Sequence, residues 1–353
     1  MKIRTIIRLL TIAVLLLFVI PSCVKEGPAG LDGMDGMDGA DGADGADGNV
    51  TCIVCHNSEN MSLVESQYET SVHALSPHTP DPTYIYAGRG DSRKSCAVCH
   101  THEGFVEVVF TGRDTLMASL AAPTRIGCET CHSGHVSFDF ETDGQDYALR
   151  TNDGVIVDAV TANGYLVDLG SNSNLCVNCH QPRSGAPEGD ESGNYSITSS
   201  RYGPHHGPQG TLLEGVGGYE TIVSGGVSYP GTKSHPHREA GCTDCHMKDG
   251  DHSFMPKVDA CKVCHTGATN FDIGGFQTEI EEMQAELKAL LIAKGALSAT
   301  GSVIGSYSNP NVLPIDVAGA LFNYVTVEED RSMGVHNPDY IDALLKNSIK
   351  ALE

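Results

Sequence analysis

Cys242-Thr243-Asp244-Cys245-His246 is followed, with its first cysteine 19 residues further on, by Cys261-Lys262-Val263-Cys264-His265. Two cysteines three residues apart lie on one face of a helical turn. From there each can form a thioether with one vinyl group of the same haem, and the histidine that follows is placed to coordinate the iron, which is the pattern of c-type haem attachment. A single Cys-x-x-Cys would equally suit a redox dithiol or half of a zinc site. The pattern recurs upstream at Cys52/Cys55/His56, Cys96/Cys99/His100, Cys128/Cys131/His132 and Cys176/Cys179/His180. Six complete copies use twelve of the 13 cysteines and leave only Cys23 over. The expected cofactors are therefore six covalently bound haem c groups.

The histidines supply the opposite iron ligands. Sixteen histidines less the six in the motifs leave His73, His78, His102, His135, His205, His206, His235, His237, His252 and His336. Histidine in surplus favours bis-histidine iron, which keeps no position open for a substrate and suits electron transfer. His73 falls in a helix expected over residues 59–75, His135 lies three residues past His132, and His252 sits between the fifth and sixth motifs. His336 precedes Asn337-Pro338-Asp339, a helix start with an Asn cap and Pro in the first turn. His205/His206 and His235/His237 are flanked by Pro and Gly, and one of each pair is expected to ligate. His78 and His102 are expected on the surface or behind a ligand.

The chain begins with Lys2, Arg4 and Arg8 ahead of an apolar run, residues 9–20, broken by Pro21. That run is shorter than the about 20 residues a spanning helix needs, so residues 1–22 read as an export signal. Ile20-Pro21-Ser22-Cys23 resembles a bacterial lipobox and makes Cys23 the expected lipid attachment site, with residues 23–26 at the anchor. Val24 carries no acidic retention signal, which favours the outer membrane or cell surface over the periplasmic face. Glycine then recurs every third residue from Gly27 to Gly48, with six aspartates among the triplets. The period is that of collagen, but with so little proline and so much like charge it reads as an extended acidic tether, roughly 65 Å long if stretched.

A net charge of −23 excludes a nucleic-acid binder, because phosphate contacts need a basic face. It points to a redox partner protein with a basic docking face, or to an extracellular acceptor. The chain has no tryptophan and only 6% aromatic residues, too few for an ordinary core of this size. Porphyrins would supply the missing flat apolar groups.

Within the body, Thr142-Asp143-Gly144, Asn152-Asp153-Gly154 and Asn163-Gly164 read as hairpin turns in a small β region over residues 136–170. Ile280, Met283, Leu287 and Leu291 fall on one face of a helix expected over residues 277–297, and a last helix is expected over 338–352. The expected fold is mainly α with extensive loop and a small β-hairpin region, packed around haem. The multihaem domain would span 49–275, closed by C-terminal helices over 276–353.

Gly203-Pro204-His205-His206-Gly207-Pro208-Gln209, Cys245-His246-Met247 with His252-Ser253-Phe254-Met255-Pro256, and Gly334-Val335-His336-Asn337-Pro338 resemble segments of multihaem c-type cytochromes related to pentahaem nitrite reductase and the octahaem oxidoreductases. The resemblance implies distal ligation by His205, His252 and His336. Nitrite reductase carries lysine in the histidine position of its catalytic haem motif, whereas every motif here ends in histidine. The expected function is thus relay of electrons between a membrane-side donor and an extracellular or periplasmic acceptor. The alternatives are a reductase of a small nitrogen or sulfur oxyanion, and a subunit of a conducting filament formed by self-association.

Overall fold

The computed structural model describes residues 52–53, 55–75, 94–139, 142 and 145–353. The export signal, Cys23, the Gly-X-Y run, His78 and most of the Thr142-Asp143-Gly144 turn lie outside the described residues.

Helix α1 (Ser58–Glu69) follows the first motif and is capped by Asn57, whose Oδ1 accepts from the Asn60 amide at 2.8 Å. The helix expected over 59–75 is interrupted: α1 stops at Thr70 and a single turn, α2 (Val72–Leu75), carries His73. The hydroxyls explain the break. Thr70 Oγ1 donates to the Gln67 carbonyl at 2.7 Å and Ser71 Oγ accepts from the Ala74 amide at 3.2 Å, so side chains take over backbone partners. The second motif lies on α3 (Lys94–His100), joined directly to α4 (His102–Thr111), where Thr101 caps the Gly104 amide at 3.0 Å. The third lies on α5 (Cys128–Cys131).

Strands β1 (Val155–Val157) and β2 (Tyr165–Val167) form an antiparallel hairpin, with Val157 and Val167 buried against Val177 and Leu213. Its turn contains Asn163-Gly164, with Gly164 at φ 73°. Asn152-Asp153-Gly154 instead precedes β1 and makes no hairpin, because Gly154 runs alongside Leu166 and Asp168 of the partner segment. The next elements are α6 (Asn174–Val177) at the fourth motif, β3 (Asn194–Ile197), α7 (Gln209–Glu214), α8 (His237–Ala240), α9 (Thr243–His246) and α10 (Val258–Cys261). The last two carry the fifth and sixth motifs.

The C-terminal part is built differently. Helix α11 (Phe276–Ala293) buries Ile280, Met283, Leu287 and Leu291, the stripe its spacing predicts. Two elements were not expected. Strand β4 (Asn311–Pro314) returns to pair with β3, Tyr195 opposite Leu313, and leads into α12 (Ile315–Asp330). That helix buries residues nearly all round, so it shows no amphipathic period for a sequence reader to find. At Gly319 a side chain would collide with the Tyr219 ring, and the segment holding Tyr219 is fixed by Asn323, which accepts its amide at 2.7 Å and donates to its carbonyl at 2.8 Å. Helix α13 (Pro338–Leu352) starts at the expected Asn337 cap, which accepts from the Tyr340 amide at 3.2 Å. The three helices enclose the main apolar core, with Leu321, Tyr340, Ile341, Leu344 and Leu345 fully buried.

Candidate haem sites

In four of the motifs the histidine amide donates to the carbonyl of the first cysteine: His132 to Cys128 at 2.9 Å, His180 to Cys176 at 2.9 Å, His246 to Cys242 at 2.9 Å and His265 to Cys261 at 2.7 Å. One helical turn thus closes under each pair of thiols and projects the histidine beyond it. All twelve motif thiols are unbridged. Arg150 secures the third motif by donating to the carbonyls of Glu129, Thr130 and His132, which a helix of four residues leaves without intrahelical partners. Ser173 joins the fourth motif to the fifth, its Oγ accepting from the amides of Cys242 at 2.9 Å and Thr243 at 3.2 Å.

The motif thiols differ in exposure, and those of the first motif lie open. Cys55 is a free, exposed thiol, as is Cys52, and the Gln145 side-chain amide donates to the Cys55 Sγ at 3.9 Å. The physical reason is local: α1, which follows the motif, buries none of its residues, so the polypeptide leaves this end of the chain open. Cys128 and Cys264 are exposed in the same way, while Cys96, Cys99, Cys131, Cys176, Cys179, Cys242, Cys245 and Cys261 are half-buried. Exposure does not remove Cys55 from the haem-attachment set, since a thioether needs a reachable sulfur.

Facing the motif histidines is a second set of rings. The centroids of His56 and His135 are 6.0 Å apart, His180 and His73 6.1 Å, His132 and His252 6.3 Å, His265 and His237 6.2 Å, and His246 and His336 6.3 Å. A metal binds an imidazole nitrogen at about 2 Å, so two rings holding one ion from opposite sides have centroids roughly 6 Å apart. Five motifs therefore carry the spacing a six-coordinate haem iron requires. For the second motif, His100 has both His205 and His206 within electrostatic reach. Among the described residues no group of three or more His, Cys, Asp or Glu side chains is placed to hold a bare metal ion, so the donor set is one of pairs. Large apolar side chains stand exposed beside these pairs, among them Ile53 and Val263 within motifs and Val136 and Phe138 next to His135. A porphyrin would cover them.

The ring orientations are set by the Nδ1 atoms. His132 donates to the Tyr147 carbonyl at 2.9 Å, His246 to Phe254 at 2.9 Å, His252 to Gly250 at 2.8 Å and His237 to Val335 at 2.6 Å. His180 meets the Gln209 side-chain oxygen at 3.3 Å, and His336 donates to the Asp330 carboxylate at 2.7 Å. With Nδ1 engaged, Nε2 is left to face a metal. Burial, reinforced by the neighbouring rings of His180 and His246, lowers the pKa of His73 to about 4 and keeps it in the neutral form a ligand needs. Burial likewise holds His180 and His246 below the usual histidine range. For His336 burial works in the same direction, but the Asp330 charge and hydrogen bond together outweigh it and the pKa rises.

The motifs themselves are close-set. The thiols of Cys99 and Cys179 lie within hydrogen-bond reach of each other, as do those of Cys176 and Cys242. Burial first and the nearby Cys176 second push the Cys131 thiol pKa up, and Cys131 adds to the rise at Cys179 behind the Cys99 hydrogen bond and burial. Cys245 feels Cys261 and Cys264. The fourth motif therefore meets the second and fifth thiol to thiol and lies within electrostatic reach of the third, as the sixth does of the fifth. The first reaches the third through His135, three residues beyond His132.

Of the remaining expected ligands, His235 meets His237 edge to face at 4.5 Å and accepts the His237 amide at 3.2 Å, so His237 is the ring that meets a motif histidine. His206 pairs with Glu329 at 2.6 Å. His102 faces Thr130 Oγ1 at 3.0 Å, behind the third motif. Reading the sequence missed Asp330, Gln209 and the carbonyls of Tyr147, Phe254 and Val335. Carbonyl acceptors leave no trace in residue identity, and Asp330 is one of 45 acids until the fold brings it to His336.

Backbone strain follows the same map. Among the described residues, those other than glycine with left-handed φ are Ala148, His205, Lys233, Asp249, Phe254, Arg331 and Met333. His205 is itself a candidate ligand. Lys233, Asp249, Phe254, Arg331 and Met333 lie within five residues of His237, His252 or His336, and Ala148 follows the Tyr147 carbonyl that holds His132. Such conformations cost about 1 kcal/mol or more each and persist where the surroundings dictate them.

Residues 39–188 match the family model of the outer membrane cytochrome MtrC/MtrF-like domains II/IV. The crystal structure of the outer cell wall cytochrome OcwA is similar at 22% identity over 81% of this chain, with a TM-score of 0.49. The chain spans 50% of that longer protein. None of the curated proteins gives a significant match.

Proposed function

We propose that this multihaem c-type cytochrome, with haem c bound covalently at its Cys-x-x-Cys-His motifs, holds six bis-histidine haems and relays electrons between a membrane-side donor and an acceptor outside the cell. The observation that carries the reading is the second imidazole ring 6.0 to 6.3 Å from five motif histidines, with His205 and His206 within electrostatic reach of His100 in the second motif. When bound, haem c supplies a one-electron couple.

The polypeptide does the rest. His135, His73, His252, His336, His237 and one of His205/His206 would supply the ligands opposite the motif histidines, an arrangement that would leave no position for an oxyanion. Carbonyls, Gln209 and Asp330 fix ring orientation at Nδ1. The short distances between motifs draw the six attachment points into one array, with the fourth motif as its junction. The acidic surface suits a donor with a basic face. The name of the matched family, an outer membrane cytochrome, supports a surface location, to which lipidation at Cys23 and the Gly-X-Y tether would hold the body.

Haem stoichiometry and EPR of the purified protein test this. Six haems per chain, all low-spin, are expected. A strong high-spin signal, or turnover of nitrite, hydroxylamine or tetrathionate with a reduced dye, would replace relay with catalysis.

A further inference from the structure

Among the rings that face motif histidines, His336 is set apart by its partner. Its Nδ1 donates at 2.7 Å to Asp330 Oδ1, a carboxylate whose side chain is 0% exposed. The second oxygen, Oδ2, accepts from the Ser332 hydroxyl. Asp330 closes α12, so the negative end of that helix dipole adds to the same site. The connection from Asp330 to His336 is wound through Arg331, Met333 and Gly334 at φ 59°, 50° and 82°. At Gly334 a side chain would press on Phe276 and Ile280, so the turn has no room to relax toward them. It brings a residue six positions away back onto its own carboxylate.

Among the described residues no other motif or facing histidine has a fully buried carboxylate within hydrogen-bond distance. His132, His246, His252 and His237 donate to neutral backbone carbonyls, and His180 meets an amide oxygen. Asp146 stands 3.7 Å from His135, but its carboxylate already accepts from the amides of Val136, Ser137 and Ala148. Glu329 pairs with His206 at 2.6 Å, where the imidazole is 65% exposed and solvent screens the charge.

A buried carboxylate on Nδ1–H gives the imidazole imidazolate character, strengthens its donation through Nε2 and stabilises the ferric over the ferrous state. We infer that Asp330, acting through His336, makes the haem of the fifth motif the most reducing of the set. This rests on His336 being the ligand opposite His246. Asp330 is a positioning residue: it touches the ligand and not the iron.

The test is a spectroelectrochemical titration of the purified holoprotein and two variants. D330N keeps the shape and removes the charge, and the most negative component should move upward while the others stay in place and all haems remain low-spin. S332A takes a donor from Oδ2 and with it the 3.3 Å bond that Ser332 Oγ accepts from the His336 amide, concentrates the charge toward His336 and should move the same component downward with all haems still low-spin. Opposite shifts are not what a purely structural role would produce. The inference is overturned if the most negative component is unmoved in D330N or rises in S332A. If D330N fails to mature, S332A decides alone, a downward shift supporting and any other result overturning. A third variant, H336A, separates the premise: one haem turning high-spin upholds ligation by His336, and six low-spin haems would remove the premise and the inference with it.

Discussion

Helices α1 and α13 are of similar length, 12 and 15 residues, and both are capped by an asparagine that accepts from the amide three residues on. Yet α1 buries none of its residues, whereas α13 buries nine, including Tyr340, Ile341, Leu344 and Leu345. Local chemistry is equally good in the two, so capping and propensity do not separate them. What differs is what lies against the helix. In the C-terminal part protein packs on protein. Around the motifs short helices and loops leave apolar side chains such as Ile53, Val136, Phe138 and Val263 facing outward, the arrangement expected of a shell that haem would fill.

The largest expected effect follows from withholding that group. The chain produced without its first 22 residues, in cells that keep it away from haem attachment, should be digested rapidly by protease across residues 52–139, while the segments that build the main core, 194–229 and 276–352, persist. Uniform resistance would break the comparison, since it would mean the motif region folds on protein contacts alone.

Next is a pair of truncations in the holoprotein. L344A, in the fully buried core, should cost about 3 kcal/mol or more in guanidinium unfolding, while L63A on α1, 53% exposed, should stay within about 0.5 kcal/mol. Equal losses would show that α1 is buried by something heavier than the arrangement of side chains suggests. A third variant, H73A, leaves the fold in place and should turn one haem in six from low-spin to high-spin, seen in the visible spectrum and by EPR. An unchanged spin state would detach His73 from the fourth motif.

The smallest effect sharpens the differences among the sites themselves. The ring planes of His132/His252 and His246/His336 cross at 33° and 25°, whereas those of His56/His135, His73/His180 and His237/His265 cross at 70°, 83° and 77°. Near-parallel axial rings give ordinary rhombic low-spin EPR spectra, and near-perpendicular rings give highly anisotropic ones. Two classes of signal are therefore expected, and H73A should remove intensity from the anisotropic class alone.

Much of this was legible in the residues, and the limits are physical. Covalent attachment needs two thiols and an imidazole in five consecutive positions, so the motifs announce themselves. How deeply each thiol sits is another matter: nothing in the letters separates the exposed Cys55 from the half-buried Cys179, because depth depends on what packs over the motif. Distal ligands need only be near in space, and for that reason His235 and His237 were indistinguishable until α8 was seen to turn His237 toward His265. The α11 stripe and the α13 cap are periodic or positional features and were readable. Helix α12, buried on nearly every side, has no period to read, and β3 meets β4 only after a long excursion of the chain. A chain met as letters shows what each residue can do locally, but not which carboxylate or carbonyl will arrive behind an imidazole.

One peptide unit in the loop after α12 serves two sites. The Val335 carbonyl holds His237, opposite His265, and the next residue, His336, faces His246. The rate at which an iron centre exchanges electrons depends on how far its ligands must travel when the charge changes. Here the ring that faces His265 is hydrogen-bonded to the peptide plane that carries the backbone nitrogen of His336, the ring that faces His246. With haem bound as proposed, such a loop would tie the positions of these two rings together where the fifth and sixth motifs adjoin.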